Sequence, residues 1–349
     1  MGYPLKLPFG GRWDKMSKSP RPRLGRGELL DTDILQVLAC PRDRAPLENL
    51  GTSLACTHGH RFSIEEGVPV FAERPRREIS PRNLEACRFD DGPSSVDPFV
   101  NDWLVNTNGN LYRKVRGKLD RYPIPDWPFQ QGAGKLLVDI GCSWGRWSVA
   151  ASRAGFRTIG VDLHFNALAA AVRVARQLDV GASYACSEAN VLPLASASAD
   201  FIFSYSVLQH LERAKVNDAF REISRVLKPG ATCLVQLPNT FGFLSLLRQA
   251  RRGFRDGMAG TSEMRYWSRA EIASAVTGSG LRLVSIRADG FLSQNPRLSD
   301  LDLLPAWGKT LVLASYAGCR ASALFPPLVR VADSLWVEAR APESQLPGA

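Results

Sequence analysis

The stretch Val138-Asp-Ile-Gly-Cys-Ser-Trp-Gly145, followed by Ile159-Gly-Val-Asp162, decides the fold. It reads as a buried strand, a small-residue turn, a helix, a second buried strand and an acid where that strand stops. Gly141, Ser143 and Gly145 keep bulk out of the turn, so a ligand can lie against the backbone at the helix N-terminus. Asp162 then offers a carboxylate to a pair of ribose hydroxyls, as an acid about 20 residues after a nucleotide-binding turn does. A dinucleotide fingerprint needs G-x-G-x-x-G, whereas here the small residues fall at every second position. No G-x-x-x-x-G-K-[ST] occurs, which argues against a triphosphate loop.

From Lys135 the pattern keeps alternating. Strands are predicted over 135–140, 157–161, 183–186, 200–204 and 232–236, with helices over 146–154, 166–178 and 214–227. A helix near 269–277 and strands near 281–287 and 334–339 follow. Such alternation implies a mostly parallel sheet with helices on both faces, binding ligands at the carboxyl ends of its strands.

The turn Asp139-Ile-Gly-Cys-Ser-Trp-Gly145 resembles motif I, D-x-G-x-G-x-G, of the class I S-adenosylmethionine-dependent methyltransferases, with Ser143 in place of the middle glycine. Glu188-Ala-Asn-Val-Leu-Pro193 is similar to the segment whose acid and following amide meet the adenine; glutamate stands for the more usual aspartate. Ala199-Asp-Phe-Ile-Phe-Ser-Tyr-Ser-Val-Leu-Gln-His-Leu211 is similar to the fourth motif, beside the reactive methyl, and Arg225-Val-Leu-Lys-Pro-Gly230 ahead of Thr232–Gln236 to the elements that close the site. The resemblance, to a type 11-like domain, covers about Lys135 to Asn239. It implies an α/β, doubly wound, mostly parallel seven-stranded sheet of the Rossmann-like methyltransferase kind. It places S-adenosylmethionine contacts at Asp139, Gly141, Ser143, Gly145, Asp162, Leu163, Glu188, Ala189 and Ser204.

Residues 31–73 form a separate small unit. Cys40-Pro-Arg-Asp43 and Cys56-Thr-His-Gly-His60 are two knuckles of the kind that each present two ligands to a tetrahedral ion. The segment resembles the zinc ribbon fused to, or partnering, several methyltransferases, some of which modify ribosomal RNA. It departs where Asp43 stands for the usual second cysteine and His60 would be the fourth ligand. Cys40, Asp43, Cys56 and His60 can bind zinc, less tightly than a thiolate-rich set; a metal-free ribbon with a core of Leu47, Phe62, Ile64 and Val68 is the alternative.

The expected organisation is a basic, disordered arm (1–30), the ribbon (31–73), a linker (74–98), the methyltransferase domain (99–340) and a disordered tail (341–349). Cap insertions are expected near 241–265 and 289–333, where family members close the sheet with a tight hairpin. Asn106-Thr-Asn-Gly-Asn-Leu-Tyr112 is either a cofactor lid or an ordinary loop.

With 349 residues and 45% hydrophobic content the chain can fill a sizeable core. No apolar run is long enough to span a bilayer, since Arg320 and a Pro-Pro pair interrupt Leu311–Val329, and no signal-peptide pattern opens the chain. Seven scattered cysteines make no disulfide framework, so the cytoplasm is the expected setting, free or peripheral at a membrane. The net charge of +10 is concentrated in the arm and in Arg248, Arg251, Arg252 and Arg255 beside the apolar Phe241–Leu247. This reads either as a phosphate or anionic-lipid patch or as a plain basic surface.

Methyl transfer is an in-line displacement, in which a hydroxyl acceptor needs a base. His210, after the fourth strand, is the candidate; capping or packing of the next helix is the alternative. His164 is expected to line the ribose edge or pack there, and Tyr205, Gln209, Tyr266 and Trp267 to shape an acceptor pocket or serve as core. Ser204-Tyr-Ser-Val207 lacks the Asn/Asp-Pro-Pro-aromatic loop of amine methylators, which leaves oxygen and carbon acceptors. The leading expectation is methyl transfer to a small-molecule or lipid- or glycan-linked acceptor at oxygen. The alternatives are an RNA methyltransferase that holds nucleic acid by ribbon and arm, and a non-catalytic S-adenosylmethionine-binding module.

Overall fold

The computed structural model describes residues 32–77, 96–258, 261, 263–292 and 297–343. The expected arm 1–30, most of the linker 74–98 and most of the tail 341–349 lie outside the described residues. A short helix, α1 (Thr32–Leu35), precedes a four-stranded antiparallel sheet of β1 (Leu47–Asn49), β2 (Ser53–Cys56), β3 (Arg61–Glu65) and β4 (Val68–Pro69).

The larger sheet has seven strands: β5 (Leu136–Ile140), β6 (Arg157–Asp162), β7 (Ala182–Cys186), β8 (Ala199–Tyr205), β9 (Leu227–Pro238), β10 (Arg282–Gly290) and β11 (Ser334–Arg340). Their order is β10-β11-β9-β8-β5-β6-β7, and only β11 runs antiparallel to its neighbours. β5 is buried along its whole length, as a central parallel strand covered on both faces must be. Chain order reverses between β5 and β8, which sets the crevice at their carboxyl ends.

The helices are α2 (Pro98–Asn108), α3 (Arg146–Arg153), α4 (Phe165–Gln177), α5 (Arg213–Val226), α6 (Phe243–Arg251), α7 (Arg269–Gly278) and α8 (Ala306–Leu324). Val138 and Ile140 pack with Val216, Phe220 and Ile223 of α5 on one face. Leu137 packs with Trp147, Phe201 and Phe203 on the other. α2 starts where Asp97 accepts the amides of Phe99 (2.9 Å) and Val100 (3.4 Å) and pairs with Arg173 (2.7 Å). The stretch Asn106–Tyr112 is no loop: it runs through the end of α2 into a 3-10 turn, and Tyr112 is fully buried with its hydroxyl donated to Asp300.

The small sheet is not a bead on a string. Its Leu38, Leu54, Phe62 and Phe71 belong to the same apolar cluster as β5, β8 and β9. The chain leaving β4 passes the end of β7, where the Phe71 amide donates to the Cys186 carbonyl (2.8 Å), and then the end of β6, where the Arg76 amide donates to the Leu163 carbonyl (2.9 Å). On its other side, Ala39 N–H donates to the Pro193 carbonyl (3.0 Å) and Ala195 N–H to that of Val37 (2.9 Å). Arg44 completes the attachment, donating to the Leu192 carbonyl (3.0 Å) and to Glu222 Oε1 (3.0 Å). Glu222 also accepts from Arg225 (2.8 Å) and from the Leu192 amide (2.9 Å). Removing this carboxylate leaves two guanidinium groups facing a largely buried gap. Glu222→Ala is expected to cost about 3 kcal/mol in equilibrium denaturation, and Arg44→Ala about 1 kcal/mol.

Candidate active site

The turn after β5 is shaped from below. Asp139 is 2% exposed and accepts from Ser148 Oγ at 2.6 Å, which fixes the start of α3 to the strand. Ser204 is fully buried and donates to the Ile140 carbonyl (3.1 Å), tying β8 to β5. Both residues, expected as cofactor contacts, are buried at the carboxyl ends of the central strands β5 and β8.

Above them, Gly141, Ser143 and Gly145 all adopt positive φ (75°, 49° and 83°). Two of these positions exclude side chains for packing reasons. A Cβ on Gly141 would come within 2.1 Å of Val207, and one on Gly145 within 2.5 Å of the Tyr184 hydroxyl. The space left by the missing side chains is thus taken by Val207 and Tyr184. Ser143 pays the strain of a left-handed backbone, offset by its amide, which donates to Asp162 Oδ2 at 2.8 Å. Asp162 Oδ1 accepts from the His164 amide at 2.8 Å.

Asp162, Leu163, Ser143, Glu188 and Ala189 are all half-buried, so they form the accessible edge at the carboxyl ends of β5, β6 and β7. Glu188 pairs with Lys215 (3.2 Å), a contact open to solvent on both sides. Beside it, the buried Asn190 Oδ1 has no hydrogen-bond partner, so a donor on a bound ligand would satisfy it. His164 caps α4, its ring nitrogen accepting from the Ala167 amide (3.3 Å), and packs on Trp103 (4.8 Å). His210 is exposed on the 3-10 turn Leu208–His210 after β8. The residues that pack there are Gln209, Tyr266 and Trp267, buried to 1%, 6% and 3% exposure, so they are core rather than pocket wall.

A network absent from the sequence reading closes the β8–β10 side. Arg297 lies over Tyr205 (4.6 Å) and Trp147 (5.2 Å) and pairs with Asp289 (3.2 Å). Asp289 also accepts from the hydroxyls of Tyr205 (3.0 Å) and Ser334 (2.7 Å). Arg146, the first residue of α3, is 3.6 Å from Asp300. Only the placing of an arginine directly after the motif I turn could have drawn attention to it; Arg297 and Asp289 carry no local signal.

In the small sheet, the four expected ligands converge. Cys40 Sγ and Cys56 Sγ lie 3.5 Å and 3.4 Å from His60 Nδ1, and Asp43 Oδ2 lies 3.3 Å from Cys56 Sγ and 2.9 Å from His60 Nδ1. Ligand atoms around a tetrahedral zinc with bonds of about 2.0–2.3 Å stand about 3.3–3.8 Å apart; the three contacts that involve sulfur have that spacing, while Asp43 and His60, at hydrogen-bond distance, would part slightly to admit an ion. The Ala45 amide, donating to Asp43 Oδ1 at 2.9 Å, holds that carboxyl well below its usual range and leaves Oδ2 facing the cluster. His58 Nδ1, 3.0 Å from Asp43 Oδ2, is a further nitrogen the sequence reading leaves out.

A family model described as a methyltransferase domain matches residues 138–235, the segment from β5 to β9. This is a methyltransferase domain. Over 158 residues the chain is 32% identical to the malonyl-[acyl-carrier protein] O-methyltransferase of Hahella chejuensis, covering 44% of this chain and 53% of that protein. The chain spans about half the length, or less, of the curated relatives it matches in this way. Over 52 residues it belongs with the UPF0434 proteins. It is 35% identical to the one from Vesicomyosocius okutanii subsp. Calyptogena okutanii, covering 15% of this chain and 88% of that protein. A solved S-adenosylmethionine-dependent methyltransferase from Methanosarcina mazei overlays with a TM-score of 0.45 at 16% identity, covering 60% of this chain and 94% of that one.

Burial, followed by the nearby Asp162 charge, pushes the Asp139 carboxyl from its ordinary value of 3.8 up to about 7 in the methyltransferase domain. Unfolding therefore releases a proton across that window, so this group's contribution to stability is full at low pH and is lost as pH rises toward 7. Asp139→Asn keeps an acceptor for Ser148. It is expected to flatten the dependence of Tm on pH between about 4 and about 7, measured by thermal unfolding.

Proposed function

We propose that the chain transfers a methyl group from S-adenosylmethionine to an oxygen of a small-molecule or lipid- or glycan-linked acceptor. The observation that carries this reading is the half-buried Asp162 carboxylate at the end of β6, held by the Ser143 and His164 amides. Each carboxylate oxygen accepts more than one hydrogen bond, so Asp162 can hold two ribose hydroxyls while keeping both amides. Glu188, Ala189 and the unsatisfied Asn190 carbonyl oxygen form the adenine side, and Leu163 and the Gly141–Gly145 backbone the remainder of the cradle.

The cofactor supplies an electrophilic methyl group on a sulfonium; the chain's residues orient it, and His210 takes the acceptor proton. The exposed position of His210 supports that role over packing against α5. Oxygen as acceptor atom is supported by the absence of an amine-binding loop at Ser204–Val207 and by the O-methyltransferase named among the relatives. Cys40, Asp43, Cys56 and His60 are proposed to hold a structural zinc ion.

Calorimetry with S-adenosylmethionine and S-adenosylhomocysteine tests the cofactor. Both are expected to bind, and Asp162→Ala is expected to weaken them about 100-fold or more, since two hydrogen bonds to a charged group are worth about 3 kcal/mol at the low end. Binding of neither would refute the reading. Once an acceptor is found, His210→Ala is expected to lower kcat by about 100-fold or more with little change in cofactor affinity. For the metal, elemental analysis of protein purified without added zinc is expected to give one zinc per chain, lost in Cys56→Ala; a ratio near zero would sink the metal site.

A further inference from the structure

Of the thirteen exposed large apolar side chains among the described residues, only Leu50 and Val284 lie outside 241–258 and 307–331. Both segments leave the carboxyl rim of the sheet, after β9 and between β10 and β11, on the side of the crevice. α6 turns its apolar face outward. Phe243, Leu246 and Leu247, spaced i, i+3, i+4, are 66%, 40% and 42% exposed. Ser245 on the inner face is fully buried, and Gln249 donates to the Thr240 carbonyl (2.8 Å). In a globular helix such an apolar stripe faces the core.

The last residue of α8, Leu324, and the chain after it add further apolar surface: Leu324 is 90% exposed, Phe325 59% and Val331 49%. That chain is stitched to the base of α6. The Asn239 amide donates to the carbonyls of Arg330 (2.9 Å) and Ala332 (2.8 Å), and Asp333 accepts the Ser245 amide (2.9 Å). Arg248, Arg251, Arg255 and Arg330 are exposed around these side chains. The nearby acids Asp256 and Glu263 are engaged by Arg213 (3.0 Å) and Arg252 (3.4 Å).

We infer that this cap surface docks on an anionic phospholipid membrane, its apolar side chains entering the headgroup boundary and its arginines meeting phosphates. Among the described residues no helix is long and apolar enough to cross a membrane. An outward apolar stripe flanked by arginines is the composition of a helix lying in the interface. The arginines select an anionic surface over a neutral one, each contributing about fivefold to partitioning. Because the surface rises from the same rim as the crevice, a docked chain turns its active site toward the lipid. The inference stands on the cap alone and does not need the methyl-transfer reading.

Flotation of the full chain with vesicles of phosphatidylglycerol, of phosphatidylcholine and of an equal mixture tests it. Co-flotation is expected with the two anionic preparations, weakening with salt, and not with phosphatidylcholine alone. The pair Phe243→Ser and Leu247→Ser, and separately Arg251→Ser and Arg255→Ser, are each expected to lower partitioning about tenfold or more at unchanged Tm. The inference is overturned if the parent chain floats with no vesicle or if neither pair alters partitioning. It is also overturned if the Phe243 and Leu247 pair instead abolishes a concentration-dependent dimer seen by sedimentation. S-Adenosylhomocysteine affinity, measured on the same samples, reports separately on the proposed function.

Discussion

Both oxygens of Asp162 accept a backbone amide, from Ser143 at 2.8 Å and from His164 at 2.8 Å, and this pair of bonds joins the end of β6 to the turn after β5. Hydrogen bonds to an ionised acceptor are the stronger kind, strong enough to keep Ser143 at a φ of 49° that its side chain disfavours. The start of α3 follows from that turn, and Asp139 beneath it holds the same helix through Ser148. Two acids thus act at one place with opposite environments. The upper one is reached by solvent and available to a ligand; the lower is sealed, and its charge is suppressed by burial.

The small sheet completes this arrangement from the side. β7 is the last strand of the large sheet and would present an unpaired edge. The chain after β4 covers its carboxyl end, where the Phe71 and Ala72 amides donate to the Cys186 carbonyl, while Val37 and Ala39 bond to residues on both sides of Leu194. The loop carrying Glu188, Ala189 and Asn190 is therefore bracketed by β7, by the small sheet and by the Arg44–Glu222–Leu192 contacts. A cluster of two thiols, a carboxylate and an imidazole lies in the same small unit, so the order of that unit bears on the loop that carries Glu188, Ala189 and Asn190.

The alternating architecture was legible because each repeating unit is local. The helix expected over 146–154 is Arg146–Arg153, and the strands expected at 157–161 and 334–339 are Arg157–Asp162 and Ser334–Arg340. β9 is longer than its apolar core 232–236 because Leu227 already pairs with Ala199 and the strand continues through an irregularity to Thr232. Glycine positions in the turn were legible as places where no side chain fits, but not the reason, since Val207 comes from the loop after β8 and Tyr184 from β7. The same limit hides Arg297 with Asp289, the docking of the small sheet, and the outward turn of α6. A hydrophobic stripe specifies a buried face only if a partner exists, and the partner is a tertiary fact. Asp139 and Ser204 show the converse: a motif position identifies a residue near the site without saying how deeply it is buried.

The attachment of the small sheet also bears on how the molecule is made. Its residues leave the ribosome before those of the large sheet, yet Arg44 meets its carboxylate only at Glu222, and Ala39 its carbonyl only at Pro193. Contacts spanning such sequence distances form late, because the intervening chain must be closed before they are gained. During synthesis the apolar side of the first sheet, with Leu38 and Phe71, stays uncovered until most of the second has emerged. The nascent chain is then most prone to aggregate, and shielding of that early sheet would help it most.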